Sequence, residues 1–350
     1  RHSRRSIRGM ASESQPNKPK HPNPKIPNLM NKEDLRIVFL GTPDFAVESL
    51  DRLVTEGYNI VSVVTATDKP AGRGHHLLQS AVKKYAVEKG IPVLQPKSLK
   101  DPEFLDQLRA LNAQLFIVIA FRMLPEAVWA MPPMGTFNLH AALLPRYRGA
   151  APINHAVMNG DKETGVTTFL LKHEIDTGDI LRQERIEIGT DENVGSVHDR
   201  LMHLGADLTL DTVSHILAGD LKPIPQAELE VEQAATYAPK IFKEDCRIDW
   251  TRTAQQVHNF VRGLSPYPAA WSVLTGDTTA PTEIKIFATA IAKGSNFGAP
   301  GQVSIVDGKM VVACGDGAVE VLEVRPAGKK QMPVDAYLRG ARLVNPRFEA

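Results

Sequence analysis

The chain has 350 residues, 43% hydrophobic and 23% charged. That is length enough for about two domains, and the composition is too apolar for a chain disordered throughout. Its 41 Lys/Arg against 40 Asp/Glu leave a net charge of +1, which excludes a molecule that binds polyanions over its whole surface. The balance is uneven: residues 1–33 carry eight Lys/Arg and two Glu, residues 34–220 carry 18 against 24, and residues 221–350 carry 15 against 14. A basic tail therefore cancels an acidic body. Cys246 and Cys314 form no CxxC pair, which argues against a disulfide framework and for a reducing compartment. The longest apolar run, Leu115–Phe121, is far short of the roughly 20 residues a membrane helix needs.

Residues 1–33, rich in Arg, Ser and Pro, are expected to lie outside the fold as a disordered basic extension. From Leu35 strand and helix signals alternate. Arg36–Leu40 reads as a short buried strand, after which Thr42 is expected to cap a helix with Pro43 at its first position. Asn59–Thr65 is a second strand. Ser80–Lys89 is an amphipathic helix stopped by Gly90. Ile91–Leu94 is a third strand, and Asp101-Pro102 opens another helix. Leu115–Ala120 is apolar on both faces, as a central parallel strand should be, and Gly135–His140 is the next strand. A long helix from Val194 to Leu217 closes the unit. The order predicts an α/β fold over 34–220, a doubly wound, mostly parallel sheet with ligands at its carboxyl edge. Residues 221–236, with Pro223, Pro225 and three Glu, read as a linker. Over 237–350, short strands at Ile284–Thr289, Gly301–Val306, Lys309–Ala313 and Ala318–Val324, divided by Gly/Asp turns, suggest a small β-barrel or sandwich.

The loop after the first strand, Gly41-Thr-Pro-Asp-Phe-Ala46, has one glycine where a dinucleotide site needs GxGxxG, and Asp44 would repel a phosphate. Asn138-Leu139-His140 holds more promise. Residues two apart in a strand share a face, so amide and imidazole emerge together at the sheet edge. Such a pair is often merely structural unless a carboxylate joins it. The stretch His173–Asp179 supplies several carboxylates, each of which could equally cap a turn.

The segment Leu143-Leu-Pro-Arg-Tyr-Arg-Gly-Ala-Ala-Pro-Ile153 closely resembles the folate signature of the 10-formyltetrahydrofolate-dependent formyltransferase family. Asn138-x-His140 upstream and Asp176-Thr-Gly-Asp179 downstream match that family in order and spacing. Three further features resemble the branch that acts on methionyl-tRNA. Lys69–Gly74, with Arg73, resembles its tRNA-contacting loop. Tyr237–Ile241, Ile248–Trp250 and Val261–Pro268 resemble the start of its C-terminal β-barrel. Pro326–Met332 and Tyr337–Gly340 resemble its ending. The resemblance runs from about Leu35 to Arg342. Two departures stand out: Ala142 replaces a frequent Ser, and Arg122 falls within an unusual Ala120–Pro125 run.

The resemblance implies a formyltransferase-like sheet followed by a small C-terminal β-barrel, and formyl transfer from 10-formyltetrahydrofolate to the α-amino group of initiator methionyl-tRNA. It implies Asn138 and His140 as oxyanion donors, with Asp176 accepting a proton from the attacking amine. Ala142, Leu143, Leu144 and Pro145 would line the folate groove through their backbone, and Arg73, Lys329 and Lys330 would contact tRNA. No metal is expected, since His75 and His76 have no third ligand nearby. A cytoplasmic monomer is implied, with no membrane contact. Trp129 and Trp271 are expected in the core. A formyl hydrolase, a sugar-nucleotide N-formyltransferase and a non-catalytic folate- or RNA-binding module are the rival readings.

Overall fold

The structure, a computed structural model, describes residues 30–72 and 76–350. Arg73 and residues 1–29 of the basic extension lie outside the described residues.

The first unit is built on β1 (Arg36–Gly41), β2 (Asn59–Val64), the short hairpin β3 (Lys69–Ala71) and β4 (His76–Leu78), β5 (Val93–Leu94), β6 (Leu115–Ile119), β7 (Thr136–His140), the two-residue β8 (Arg148–Gly149), β9 (Glu163–Leu170) and β10 (Ile180–Glu187). Seven of these form one sheet in the order β10-β9-β7-β6-β1-β2-β5. It is parallel from β5 to β7 and antiparallel at β9 and β10. Side chains alternate across it as the pleat requires. Ile37, Phe39, Leu115, Ile117, Ile119, Phe137 and Leu139 are buried on one face, under α1 (Asp44–Thr55), α2 (Ala81–Lys89), α5 (Pro152–Met158) and α6 (Val194–Ala218). Val38, Leu40, Phe116 and Val118 are buried on the other, under α3 (Pro102–Ala110) and α4 (Glu126–Trp129). Both faces are covered, so β6 is buried at every residue.

Most helix boundaries follow the capping chemistry in the sequence. Ser80 accepts from Lys83 N and Gly90 closes α2 at φ 72°. Asp101 caps α3, and Asn193 caps α6. Helix α1 departs from expectation. Its N-cap is Pro43, with no side-chain cap bond, because Thr42 turns its carbonyl to Val82 N instead. The long antiparallel edge strand β10 carries no apolar alternation to announce it; it is held by its register against β9.

Residues 221–236 hold a short helix, α7 (Gln226–Glu230), and lead into β11 (Tyr237–Ala238), which pairs with β8 of the first unit. The second unit then wraps β12 (Ala270–Thr275), β13 (Thr282–Ile291), β14 (Val303–Val306), β15 (Lys309–Ala313), β16 (Ala318–Pro326), β17 (Met332–Pro333) and β18 (Arg347–Phe348) into an antiparallel sheet ordered β14-β15-β16-β13-β12-β18. A bridge between Gln302 and Arg347 brings its two edges together, so the sheet is a nearly closed barrel. Helix α8 (Ala254–Leu264) lies between α5 and β13 of the barrel, and α9 (Val334–Gly340) packs against β15, β16 and β17. The strand-centred reading of this region passed over α8, although Thr253 and Gln256 form a capping box at its start. Its Val257, Val261 and Leu264 fill the barrel core with Ile284, Ile286, Val312 and Val321.

Candidate active site

Strand β7 delivers Asn138 and His140 to the carboxyl edge on one face, while Leu139 packs into the core behind them. His140 is almost fully buried, and its Nε2 lies 2.7 Å from the Tyr147 carbonyl. A carbonyl only accepts, so this nitrogen carries a proton. The other nitrogen, Nδ1, faces Asp176, whose Oδ2 is 3.7 Å away. That distance is too long for a direct hydrogen bond. Asp176 sits in the loop joining β9 and β10, in a left-handed conformation (φ 55°). Its Oδ2 accepts from Gly149 N at 2.7 Å, and its carbonyl accepts from Gln226 Nε2 at 2.8 Å. Among the described residues nothing in the protein hydrogen-bonds the Asn138 amide, which lines an open cleft beside His140.

The signature segment packs behind the cleft edge. Ala142, Leu143, Leu144 and Pro145 are buried, and none of them borders the cleft. Their carbonyls are all taken: Ala142 by Thr167 Oγ1, Leu143 by Arg146 N, Leu144 by Gln183 Nε2 and Pro145 by Thr236 N. The segment also frames the site. It carries the Tyr147 carbonyl to His140 and the Gly149 amide to Asp176. Arg148 anchors it to α7 through Gln226 and Glu230 at 2.9 and 2.6 Å. The Tyr147 hydroxyl donates to Asp161, and burial together with that carboxylate pushes its pKa up to about 12. Gly149 is required: its φ is 121°, and a Cβ would come within 2.7 Å of the Ala238 carbonyl.

The cleft measures about 1170 Å3 and straddles the sheet edge. One lobe lies on the α3/α4 face, bordered by Phe121, Leu124, Trp129, Leu171 and Ile175. The other lies on the α1/α6 face, bordered by Pro43, Phe45, Ile153, Val194, Pro266 and Tyr267. The last two come from the second unit. Asn138, His140 and Asp176 border the same cleft. Trp129 thus packs partly buried against the core beneath α3 and α4 and also walls the cleft. Trp271 is half-buried under Lys243 and Arg247, with its N–H on the Lys243 carbonyl. Arg122 binds the Lys97 carbonyl at 2.8 Å, which ties its guanidinium down at the lobe's rim. Lys329 and Lys330 are exposed in the turn after β16, and no ion pair engages either among the described residues.

The fold is that of a formyl-transferring enzyme. Residues 35–213 match the formyl transferase family and residues 240–342 the formyl transferase C-terminal domain, and the chain belongs to this family. It is 56% identical over 316 residues to the methionyl-tRNA formyltransferase of Bacteroides fragilis, covering 90% of this chain and 97% of that one. To the methionyl-tRNA formyltransferase of Porphyromonas gingivalis it is 48% identical, covering 90% and 98%. More distant chains share the fold alone. The N-formyltransferase of Helicobacter canadensis, solved with folinic acid and dTDP-3-aminofucose, matches with a TM-score of 0.61 at 17% identity, over 85% of this chain and 99% of that one. HypX of Aquifex aeolicus, solved with tetrahydrofolic acid, matches with a TM-score of 0.57 at 20% identity, over 87% of this chain and 46% of that one, so the present chain spans about half of HypX.

The residues that sequence reasoning passed over are those that support the site from a distance. Thr167, Gln183 and Gln226 carry no motif, whereas the cleft-lining Phe45, Ile153 and Tyr267 fall within the segments Gly41–Ala46, Leu143–Ile153 and Val261–Pro268, for which no such role was read.

Proposed function

We propose that the protein transfers the formyl group of 10-formyltetrahydrofolate to the α-amino group of initiator methionyl-tRNA, acting as a cytoplasmic monomer. The observation that carries this reading is the 56% identity to a methionyl-tRNA formyltransferase along 97% of that chain, extending through the second unit that walls the cleft. The two lobes suit a reaction of two large substrates. The aromatic and apolar lobe of Phe121, Leu124 and Trp129 fits a flat pterin, and the lobe shared by both units fits the acceptor. Exposed Lys329 and Lys330 offer phosphate contacts, as does Arg73, which lies outside the described residues. An acidic first unit needs its positive charge concentrated in this way.

The attacking amine adds to the formyl carbon, forming a C–N bond and a tetrahedral oxyanion. With Nε2–H held by the Tyr147 carbonyl, His140 presents the Nδ1 lone pair, which takes the proton the amine sheds. Asp176, ionised and fixed by Gly149 N–H, offsets the imidazolium charge. The Asn138 amide N–H donates to the oxyanion. Collapse breaks the bond to N10 of the folate, and the proton on Nδ1 passes to that nitrogen. His140 thus serves first as a base; it can donate only after it has been charged. The amine approaches from the open cleft that Asn138, His140 and Asp176 border.

Radiolabelled formyl transfer tests the reading. With methionyl-tRNA, uncharged tRNA, water and an amino-sugar nucleotide offered separately, label is expected on methionyl-tRNA alone. Release of formate to water, or transfer to the sugar nucleotide at a comparable rate, would replace it by one of the rivals.

A further inference from the structure

The acceptor lobe has a rim as well as a floor. Phe45, on its floor, is only 7% exposed, whereas Tyr267 at the mouth is 82% exposed. A single exposed aromatic on a protein surface is ordinary. Tyr267 differs from one in being fixed. It stands at the tip of a turn whose bases, Ser265 and Ala269, are 3% and 2% exposed. Prolines on both sides restrict its backbone to extended conformations. The turn closes through Ala269 N to the Leu264 carbonyl at 2.8 Å, and it is docked on the first turn of α6 through Gly195 N to the Ser265 carbonyl at 3.1 Å. Pro266 presses on Gly195 so closely that a Cβ there would come within 2.6 Å of its Cδ. One turn earlier, Arg262 is buried and donates to the Glu192 carbonyl at 2.9 Å. The second unit therefore spends buried polar contacts on holding a bare aromatic ring at the mouth of the first unit's cleft.

We propose that Tyr267 is a specificity-determining residue of the acceptor lobe, its ring the platform on which the terminal purine of the aminoacylated acceptor stacks. The inference rests on the functional reading above and deepens it. The reacting amine must reach His140 at the buried end of the lobe. The nucleoside that carries the ester is then left further out, at the rim. A flat purine there covers the exposed ring of Tyr267, and aromatic stacking is tolerant of sequence because every base has a π-face. Tyr267 adds affinity for the acceptor end and leaves the chemical step to Asn138, His140 and Asp176.

The test measures formyl transfer by wild type, Tyr267→Ala, Tyr267→Phe and Tyr267→Trp, with melting curves for each. Tyr267→Ala is expected to raise KM for methionyl-tRNA about 5- to 150-fold, the span that losing one base–aromatic stack gives. KM for 10-formyltetrahydrofolate and the single-turnover rate at saturation should stay within about twofold of wild type, and both aromatic variants should keep the wild-type KM. Methionyl-adenosine and methionine methyl ester, used as competing ligands, add a second readout: the alanine variant should weaken inhibition by the adenosine ester only. An active wild type with an unchanged KM in Tyr267→Ala overturns the inference and leaves the functional reading standing. So does an equal loss with both competing ligands, which would place the amino-acid side chain on the ring. A rise in both KM values, or no rescue by Phe, overturns it as well. A wild type that makes no formylmethionyl-tRNA overturns both.

Discussion

At the residue scale the site turns on which histidine nitrogen is free. The Tyr147 carbonyl claims Nε2–H of His140, so in the proposed mechanism the imidazole meets its substrate as an acceptor and Asp176 supplies charge in place of a direct hydrogen bond. Asp176→Asn isolates that charge, because an asparagine oxygen can still accept from Gly149 N–H. We expect kcat to fall about 100-fold, the lower end of what positioned proton transfer contributes, with the melting temperature little changed. Single-turnover formylation combined with a thermal melt checks this, and a rate within threefold of wild type would remove Asp176 from the chemistry. Asn138→Ala should cost about 10²- to 10³-fold in turnover as a lost oxyanion donor. The sequence placed Asn138, His140 and Asp176 correctly at one strand edge and one loop. It could not show the tautomer, which depends on a carbonyl seven residues further along the chain.

At the scale of elements, the geometry of the signature segment depends on β9. Thr167 is fully buried; its hydroxyl donates to the Ala142 carbonyl at 2.7 Å and accepts from Leu144 N and from Gln183 Nε2. Thr167→Val keeps the shape but strands a buried carbonyl and a buried N–H. Such groups cost about 1–3 kcal/mol to leave unmade. For a unit of this size that corresponds to a fall of roughly 4–8 °C in melting temperature for a loss near 2 kcal/mol. Differential scanning calorimetry would show it, and an unchanged transition would mean that the frame is held elsewhere. The segment was legible as a string, and its apolar residues sit where a buried turn needs them. Cleft walls such as Trp129 and Leu171 carry no shared pattern.

Across the whole molecule the two units are joined by polar contacts as well as by packing. Asn154 Nδ2 donates to the Gly263 carbonyl, and His258 of α8 holds Asp191 of the first unit through Nε2 at 2.8 Å and Thr289 through Nδ1 at 2.9 Å. Burial lowers the His258 pKa below its ordinary value; Asp191 pulls it up, and Arg262 pushes it further down. The unfolded chain therefore binds the proton more readily. The stabilisation is complete above about pH 6.5, the value of an unperturbed histidine, and is lost as pH falls through the folded-state value. We expect the melting temperature of wild type to fall between pH 7.5 and 5.5 by more than that of His258→Gln, which has no proton to gain. Equal slopes in the two proteins would show that the histidine is not the sensing group.

The sequence by itself determined the alternation of strand and helix in the first unit, the strand-rich second unit, most of the caps, and the three polar side chains expected at the catalytic centre. Those features follow from hydrophobic period, turn chemistry and short motifs, all written within a few neighbouring residues. Only the tertiary structure decided how the site is assembled. It joins residues 27, 78 and 109 positions apart, at Gly149 with Asp176, Arg148 with Gln226, and Asn154 with Gly263. It also turned Ala142–Pro145 inward, made a helix of residues 226–230 that steadies the Asp176 loop, and set Tyr267 at the mouth of a cleft in the other unit. Pairings at such separations are selected by which buried donors and acceptors can satisfy one another once the core has closed, and no local pattern in the chain encodes them.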